Sequence, residues 1–308
     1  MITIGQNFHI IHMTDDLAAL DAWYDDVFSV TRWMEKGSSP QLKREASLVG
    51  IGDLCIEPMQ PTFELEGWEN APLGRFYKRW GKQWHSLAWY VDDSQGLTEL
   101  RDRLENSDVE LLDIMGGHLD HEGAHQIEDR PIFTHPRSTV TQLEFMVANS
   151  MIRDVRLHVS YRSTWWHDTH PLHIRKQSHV TLATRDFDRA VKVYTEMIPG
   201  TLLEEREGDL MKTRSAFIAV GRDIVLEIAE PLESGTPIAD WVDAHGHGLF
   251  AVTLQVEDLA AADRYLASKD IAPRLQDANT YLSDPATTYG VHWGFTTNEI
   301  TGDTRPLW

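Results

Sequence analysis

The sequence predicts an α+β protein built from four βαβββ modules, which form two curved mixed β-sheets with flanking helices. Four segments share a short apolar strand, an acidic turn and an amphipathic helix. They begin at His9, His85, His179 and Phe250, and in each an acidic residue follows seven positions later. That residue also suits a helix N-cap. The repetition indicates an internal duplication.

The spacing of matched residues supports the duplication. His9 and Glu57 are 48 residues apart, as are His179 and Glu227, so both positions repeat with an offset of 170. Strands are expected in the first module at about 30–35, 45–50 and 53–59, and in the third at about 201–207, 213–220 and 223–229. Residues between these strands, such as Gly52 and Gly221, are typical of hairpin turns.

These patterns divide the chain into three parts. Residues 1–147 hold the first pair of modules with the candidate metal site, 148–177 form a connector, and 178–308 hold the second pair with a degenerate last module. Segments 60–83 and 116–130 interrupt the pattern and are interpreted as insertions.

Composition excludes several classes of function. The 308 residues include 28 Lys and Arg against 48 Asp and Glu, a net charge of −20. Such a chain is unsuited to neutralising nucleic-acid phosphates or docking on anionic lipid. It has no apolar run that could span a bilayer, no secretory signal pattern, and a single cysteine, Cys55. We therefore expect a cytoplasmic protein that binds a small molecule rather than nucleic acid or membrane.

Three glutamates, Glu57, Glu144 and Glu227, interrupt apolar strand segments. A buried carboxylate without a partner is costly, so such residues need a reason. One could face solvent on an edge strand, but each of these three belongs to a module that opens with a His. Two imidazoles and two carboxylates suit Zn²⁺, Ni²⁺, Co²⁺, Mn²⁺ or Fe²⁺. The lack of thiolates argues against a closed structural zinc site.

Paired βαβββ units with His on the first strand and Glu on the fourth resemble the vicinal oxygen chelate superfamily, which includes glyoxalases, bleomycin-resistance proteins and extradiol dioxygenases. The second module, segments 84–93 and 133–145, is similar to the epimerase-like branch. It is one residue shorter than that branch's motif and lacks its glycine. The resemblance implies an enzyme with one divalent metal ion per chain, which holds two neighbouring oxygens of the substrate.

Carried over residue by residue, the resemblance implies ligands at His9, Glu57, His85 and Glu144. The fourth module departs from the pattern, because Phe250 and Gly294 stand where His and Glu belong. If the second and third modules pair instead, the ligands are His85, Glu144, His179 and Glu227. Consecutive elements are usually spatial neighbours, which favours the first set.

Three functions follow from this resemblance. The favoured one is a metal-dependent isomerase, epimerase or lyase, in which the metal polarises a carbonyl and Glu144, or secondly Glu57, transfers the α-proton. The runner-up is an Fe(II) extradiol-type dioxygenase, since 11 Trp residues suit an aromatic substrate. The third is a non-catalytic binding protein of the resistance type. A homodimer is compatible with each.

Several other residues are weaker candidates. His118, His121 and His125 lie in a Gly-rich segment that is better interpreted as a pocket-lining loop than as a second metal site. His292 is the one ligand-type side chain close to Gly294, but we expect no ligand role for it. Cys55 shares a strand face with Glu57 and is expected to pack as a small apolar residue.

Overall fold

A computed structural model of the chain describes residues 2–119, 130–148, 154–158 and 160–307. Its strands form two eight-stranded mixed sheets, with the same order of strands in both. The N-terminal sheet contains β1 (Ile4–Met13), β2 (Thr31–Ser39), β3 (Arg44–Ile51), β4 (Leu54–Pro61), β5 (Gln83–Val91), β6 (Leu111–Leu112), β7 (Ile132–Thr134) and β8 (Gln142–Val147). The C-terminal sheet contains β9 (Ile174–Ala183), β10 (Thr201–Gly208), β11 (Thr213–Val220), β12 (Ile224–Pro231), β13 (Gly248–Val256), β14 (Pro273–Gln276), β15 (Thr280–Ser283) and β16 (His292–Thr296).

Helices cover these sheets at matching places in the two halves. They are α1 (Leu17–Phe28), α2 (Pro72–Trp80), α3 (Ser94–Glu105), α4 (Pro136–Thr139), α5 (Thr164–Asp168), α6 (Phe187–Lys192), α7 (Pro237–His245) and α8 (Leu259–Ser268). No helix among the described residues is long and apolar enough to cross a membrane. The predicted fold class, α+β with tandem βαβββ modules, is confirmed.

The sheet order shows which modules lie together. The N-terminal sheet runs β2-β3-β4-β1-β5-β8-β7-β6, so the first and second modules meet where β1 pairs with β5. The third and fourth modules meet in the same way through β9 and β13. Consecutive modules therefore share a sheet.

An Asp residue precedes the helix that follows the first strand of each module, although not always at the predicted position. Asp16 accepts a hydrogen bond from the backbone N–H of Ala19 at 2.9 Å and caps α1 as expected. In the second and fourth modules the caps are Asp93 and Asp258, one residue later than predicted. An N-cap carboxylate accepts a hydrogen bond from the backbone N–H two or three residues later in the chain. The residue at which the helix begins therefore determines which of two neighbouring acidic residues is the cap.

Segment 60–83 is not an insertion. It contains α2, and the C-terminal half has α7 at the same place between its fourth strand and the next module. Both helices have proline in their first turn, where the missing N–H costs nothing. The connector is also shorter than predicted, because β9 begins at Ile174.

One apolar core continues across both halves. The Trp84 and Trp293 rings lie 5.2 Å apart, and the Trp84 indole N–H donates to the carbonyl of His292 at 3.1 Å. Tyr194 of the C-terminal half donates to the carbonyl of Thr139 at 2.6 Å. Since large aromatic side chains fill this junction, the two halves are held together by buried apolar contacts.

Candidate metal centre

Four adjacent strands carry the predicted ligands of the N-terminal half. In the order β4-β1-β5-β8 these strands hold Glu57, His9, His85 and Glu144. Glu57 lies beside Ile11 in the parallel β1–β4 pair, and Glu144 lies beside Ala88 in the parallel β5–β8 pair. Neighbouring strands thereby bring side chains that are far apart in sequence to one region of the sheet.

Three of these side chains converge. His9 Nε2 lies 3.3 Å from Glu57 Oε2 and 3.5 Å from Glu144 Oε2. The His9 residue is 4% exposed, and neither of its ring nitrogens has a hydrogen-bond partner within the described structure. Burial lowers the pKa of His9, but the charges of Glu57 and Glu144 outweigh it, so the pKa is raised overall. The two carboxylates therefore create a site that favours a cation.

His85 stands apart from this group. Its Nδ1 lies 2.8 Å from Ser86 Oγ, and its ring meets the Phe76 ring edge-on at 4.4 Å between centroids. Burial lowers the pKa of His85 to about 3, with Arg44 and His9 acting in the same direction. The imidazole is therefore neutral at ordinary pH, which is the form that binds a metal ion.

The arrangement fits a divalent cation in donor type and in the two distances from His9, although it is not a finished site. Four ligands at about 2.1 Å from one tetrahedral ion lie about 3.4 Å apart, close to the two His9 distances. Burying the His9 imidazole without hydrogen-bond partners for its nitrogens is energetically unfavourable. A cation bound between His9 and the two carboxylates would remove that penalty. As the side chains stand, no three His, Cys, Asp or Glu residues in the described ranges form a complete ligand set.

A small cavity of about 60 Å³ opens in front of this group. Glu144 and His85 line it, whereas His9 and Glu57 are not among its lining residues. Arg44 and Gln142 also line it, and sequence reasoning missed both. Arg44 is the first residue of a strand, just after a turn. Gln142 lies two positions before Glu144 on the same strand face, and this spacing was the one signal in the sequence that pointed to Gln142. Of the three converging side chains, Glu144 is the one a ligand in the cavity reaches.

The equivalent pair in the C-terminal half is already satisfied. His179 Nε2 lies 3.4 Å from Glu227 Oε2. Thr181 Oγ1 donates to Glu227 Oε2 at 2.6 Å, and Ser215 Oγ donates to Glu227 Oε1 at 2.7 Å. Burial lowers the pKa of His179, with Glu227 opposing the shift. This carboxylate has the hydrogen bonds that a buried charge needs.

Strand register shows why Glu57 differs from Glu227. The residue beside Glu57 on β1 is Ile11, where the C-terminal half has Thr181 beside Glu227. Ala46, which pairs with Met59, stands where the C-terminal half has Ser215, which pairs with Ala229. Both hydroxyl donors are thus replaced by apolar groups in the N-terminal half. Glu57 is left for a different partner.

The fourth module has no room for its missing ligand. Gly294 pairs with Thr253 as Glu144 pairs with Ala88, so Gly294 occupies the position of Glu144. A Cβ at Gly294 would collide with the hydroxyl of Thr253. Phe250 fills the place of His85, and its ring packs 4.5 Å from that of His292. Nδ1 of His292 is engaged by the carbonyl of Ser283 at 2.8 Å.

The alternative ligand set is not brought together. His179 and Glu227 lie on the C-terminal sheet, whereas His85 and Glu144 lie on the N-terminal sheet. His179 and Glu227 instead line a separate cavity of about 330 Å³. Cys55 packs with Phe8, as expected for a small apolar residue.

Two arginines that sequence reasoning missed, the buried Arg156 and the partly buried Arg305, fix the strands beside these sites. Arg156 donates to the carbonyls of Phe8 and Asp53, each at 2.7 Å, and pairs with Asp154 at 2.7 Å. Phe8 immediately precedes His9. The Asp-x-Arg motif of residues 154–156 begins seven positions after β8 ends at Val147. This clamp holds the middle of β1, which carries His9, and the start of β4, which carries Glu57.

The C-terminal half repeats the clamp. Arg305 donates to the carbonyls of Ser178 and Asp223, at 2.6 and 2.7 Å, and pairs with Asp303 at 2.9 Å. Ser178 precedes His179 as Phe8 precedes His9. The motif of residues 303–305 begins seven positions after β16 ends at Thr296, and this repeat was the signal in the sequence.

The His-rich loop contributes no second centre in the part that can be described. The side chain of His118 is 65% exposed, and its Nδ1 lies 3.9 Å from Glu110 Oε1. His121 and His125 lie outside the described residues.

Comparison with known proteins agrees with this architecture. Residues 176–281 match the family model of the Glyoxalase/Bleomycin resistance protein/Dioxygenase superfamily. A comparison with curated proteins gives no match. Similar solved structures include a variant of 4-hydroxymandelate synthase from Streptomyces coelicolor, which is 12% identical with a TM-score of 0.62 and covers 97% of this chain and 95% of that chain.

Two further structures match nearly the whole chain. The Mn(II)-bound glyoxalase from Novosphingobium aromaticivorans is 15% identical with a TM-score of 0.56, covering 99% of this chain and 86% of that chain. The 2,2',3-trihydroxybiphenyl 1,2-dioxygenase from Sphingomonas wittichii is 13% identical with a TM-score of 0.56, covering 98% of this chain and 93% of that chain. Together with the repeated βαβββ topology, these matches show that the chain has the vicinal oxygen chelate fold.

Proposed function

We propose that this chain is a divalent-metal-dependent enzyme whose single metal site lies in the N-terminal half, at His9, Glu57, His85 and Glu144. The observation that carries the proposal is the contrast between the halves. Glu227 accepts two hydroxyl hydrogen bonds, whereas Ile11 and Ala46 leave Glu57 without those donors and facing His9. The metal ion would be Zn²⁺, Ni²⁺, Co²⁺, Mn²⁺ or Fe²⁺.

The reaction we propose is proton transfer at a carbon next to a carbonyl, as in an isomerase, epimerase or lyase. A bound divalent cation would supply Lewis acidity toward the substrate carbonyl and so acidify the neighbouring C–H. Glu144 faces the cavity and accepts that proton on its carboxylate. It then returns the proton to the same carbon or to its neighbour, or a leaving group departs. Glu57 has the weaker claim as base, because it does not line the cavity.

The other residues of the cavity bind and orient the substrate. The Arg44 guanidinium provides a positive charge beside the substrate oxygens, and Gln142 provides an amide donor and acceptor.

An Fe(II) ring-cleaving dioxygenase is the second candidate. Two imidazoles and one carboxylate are the donor set of non-haem Fe(II) oxygenases, and His9, His85 and one of the two glutamates supply it. The match over nearly the whole chain to an aromatic-ring dioxygenase of the same fold supports keeping this candidate.

One experiment separates the proposed reactions. The full chain, loaded with Mn²⁺ or anaerobically with Fe²⁺, is incubated in D₂O with small carbonyl compounds that carry a neighbouring oxygen, and separately with catechols under oxygen. Deuterium at the α-carbon, abolished in Glu144→Gln and kept in the matched control Glu227→Gln, is the expected result. Oxygen uptake with a catechol would instead establish the dioxygenase. Tight ligand binding that survives His85→Ala, without either reaction, would mean a non-catalytic binding protein.

A further inference from the structure

A cleft of about 360 Å³ lies between the two halves of the chain. The N-terminal half contributes Arg79 at the end of α2, and His135 and Arg137 around the start of α4. The C-terminal half contributes His245 and His247 at the end of α7 and just after it. The cleft is thus formed by both halves and exists only in the assembled chain.

The charge of this cleft is opposite to that of the whole molecule. The chain carries 48 acidic residues against 28 basic ones, yet none of the described residues that line the cleft is Asp or Glu. By contrast, acidic side chains such as Glu207 and Asp277 line the C-terminal cavity of about 330 Å³. A cationic pocket in so acidic a protein concentrates anions locally.

Neither arginine of the cleft forms an ion pair with a carboxylate of the described residues, although other exposed arginines have such partners, as Arg185 has in Asp243. The Arg79 guanidinium stacks over the Trp80 ring at 4.4 Å, which orients it. Burial lowers the pKa of His247, and the positive charges of Arg189, His135 and Arg137 lower it further, a sign of positive potential at this place.

The cleft adjoins the small cavity at Glu144. His85 and Gln142 line both of them. A substrate long enough to pass these two side chains would place one end at Glu144 and the other near Arg79 and Arg137.

We propose that this cleft binds an anionic group of the substrate, a carboxylate or a phosphate, while the reacting carbon lies at Glu144. This proposal rests on the function proposed above for the N-terminal site. Arginine suits the role because its planar donors bind both anions in a bidentate manner. The substrate is thereby identified as a small acid or phosphate ester that carries a carbonyl, rather than a neutral molecule.

The test is calorimetric titration of the full chain with inorganic phosphate and, separately, with acetate. Arg79→Gln and Arg137→Gln should each weaken the preferred anion about tenfold, as expected for loss of one charge-assisted contact. Lys78→Gln is the control for Arg79→Gln, because it removes one positive charge from the same helix, α2, outside the cleft. This variant should bind the anion with the affinity of the wild type. Tighter binding of phosphate would identify the anion as a phosphate, and tighter binding of acetate would identify it as a carboxylate. Equal affinity of wild type and both cleft variants, or no binding at millimolar concentration, would overturn the proposal.

Two further titrations separate this proposal from the metal function. His9→Ala should keep phosphate binding, and Arg137→Gln should keep Mn²⁺ binding, because the two sites use different groups. If phosphate binding disappears in His9→Ala, the anion binds at the metal residues and the cleft proposal is wrong. If the wild type binds phosphate in the cleft but no divalent metal, the metal function fails while the cleft remains an anion site.

Discussion

Arg156 is expected to contribute more to stability than its counterpart Arg305, although each binds two backbone carbonyls and one Asp, and Arg305 also donates to Gln177 Oε1 at 3.0 Å. In the variant Arg156→Met, the carbonyls of Phe8 and Asp53 lose their donors, which costs about 1 kcal/mol each. Asp154, whose side chain has no solvent exposure, also loses its ionic partner. An uncompensated buried charge raises the total loss to about 4 kcal/mol.

Arg305→Met provides the matched control. Its carbonyl contacts are lost in the same way, but Lys176 Nζ still lies 2.7 Å from Asp303 Oδ2. Burial raises the pKa of Asp303, but Arg305 and Lys176 outweigh it and hold that pKa well below its ordinary value. Since the carboxylate keeps a cation, we expect a loss of about 2 kcal/mol.

Urea unfolding followed by tryptophan fluorescence measures both free energies of unfolding. The double variant Asp154→Asn/Arg156→Met should recover about half of the loss seen in Arg156→Met, because no buried charge is left unpaired. Equal losses in Arg156→Met and Arg305→Met, or a loss below about 1 kcal/mol in Arg156→Met, would refute the reasoning.

Two further predictions concern stability. Burial raises the pKa of Asp223 to about 7, against the opposing charges of Arg156 and Arg305. The stability linked to a protonated Asp223 is present below about pH 4 and is lost as the pH rises through about 7. Asp223→Asn should therefore raise Tm above that of the wild type by more at pH 8 than at pH 5. An equal rise in Tm at the two pH values would contradict this prediction. Gly294→Ala should cost about 1–3 kcal/mol in thermal unfolding, because its Cβ meets the Thr253 hydroxyl. In a Thr253→Ala background the cost should largely vanish, and an unchanged cost would exclude that collision.

The sequence was sufficient to predict the modules and the group around His9. Alternation along a strand follows from strand geometry, and the repeated His-to-Glu spacing follows from the duplication of the module, so both are periodic signals in the sequence. The absence of ligands at Phe250 and Gly294 was equally visible. The sequence did not show that the Thr253 side chain fills the space beside Gly294, because this contact depends on the pairing of β13 with β16.

Features that depend on tertiary contacts were missed. Arg156 and Arg305 lie in irregular segments after the last strands and bind backbone carbonyls, which leave no periodic pattern. Segments 60–83 and 232–247 differ so much in composition that the equivalence of helices α2 and α7 was not recognised. Pro72 and Pro237 nevertheless mark the first turn of each helix. The neighbourhood of His85 likewise depends on Phe76, which α2 brings from outside the strand pattern.

Metal stoichiometry tests the central claim most directly. The full chain and the variants Glu144→Gln and Glu227→Gln are each equilibrated with Mn²⁺, dialysed and analysed for metal per chain. We predict about one ion per chain in wild type and in Glu227→Gln, and a loss of at least about tenfold in affinity in Glu144→Gln. Loss of the ion in Glu227→Gln with full binding in Glu144→Gln would instead place the metal in the C-terminal half and contradict the proposed site.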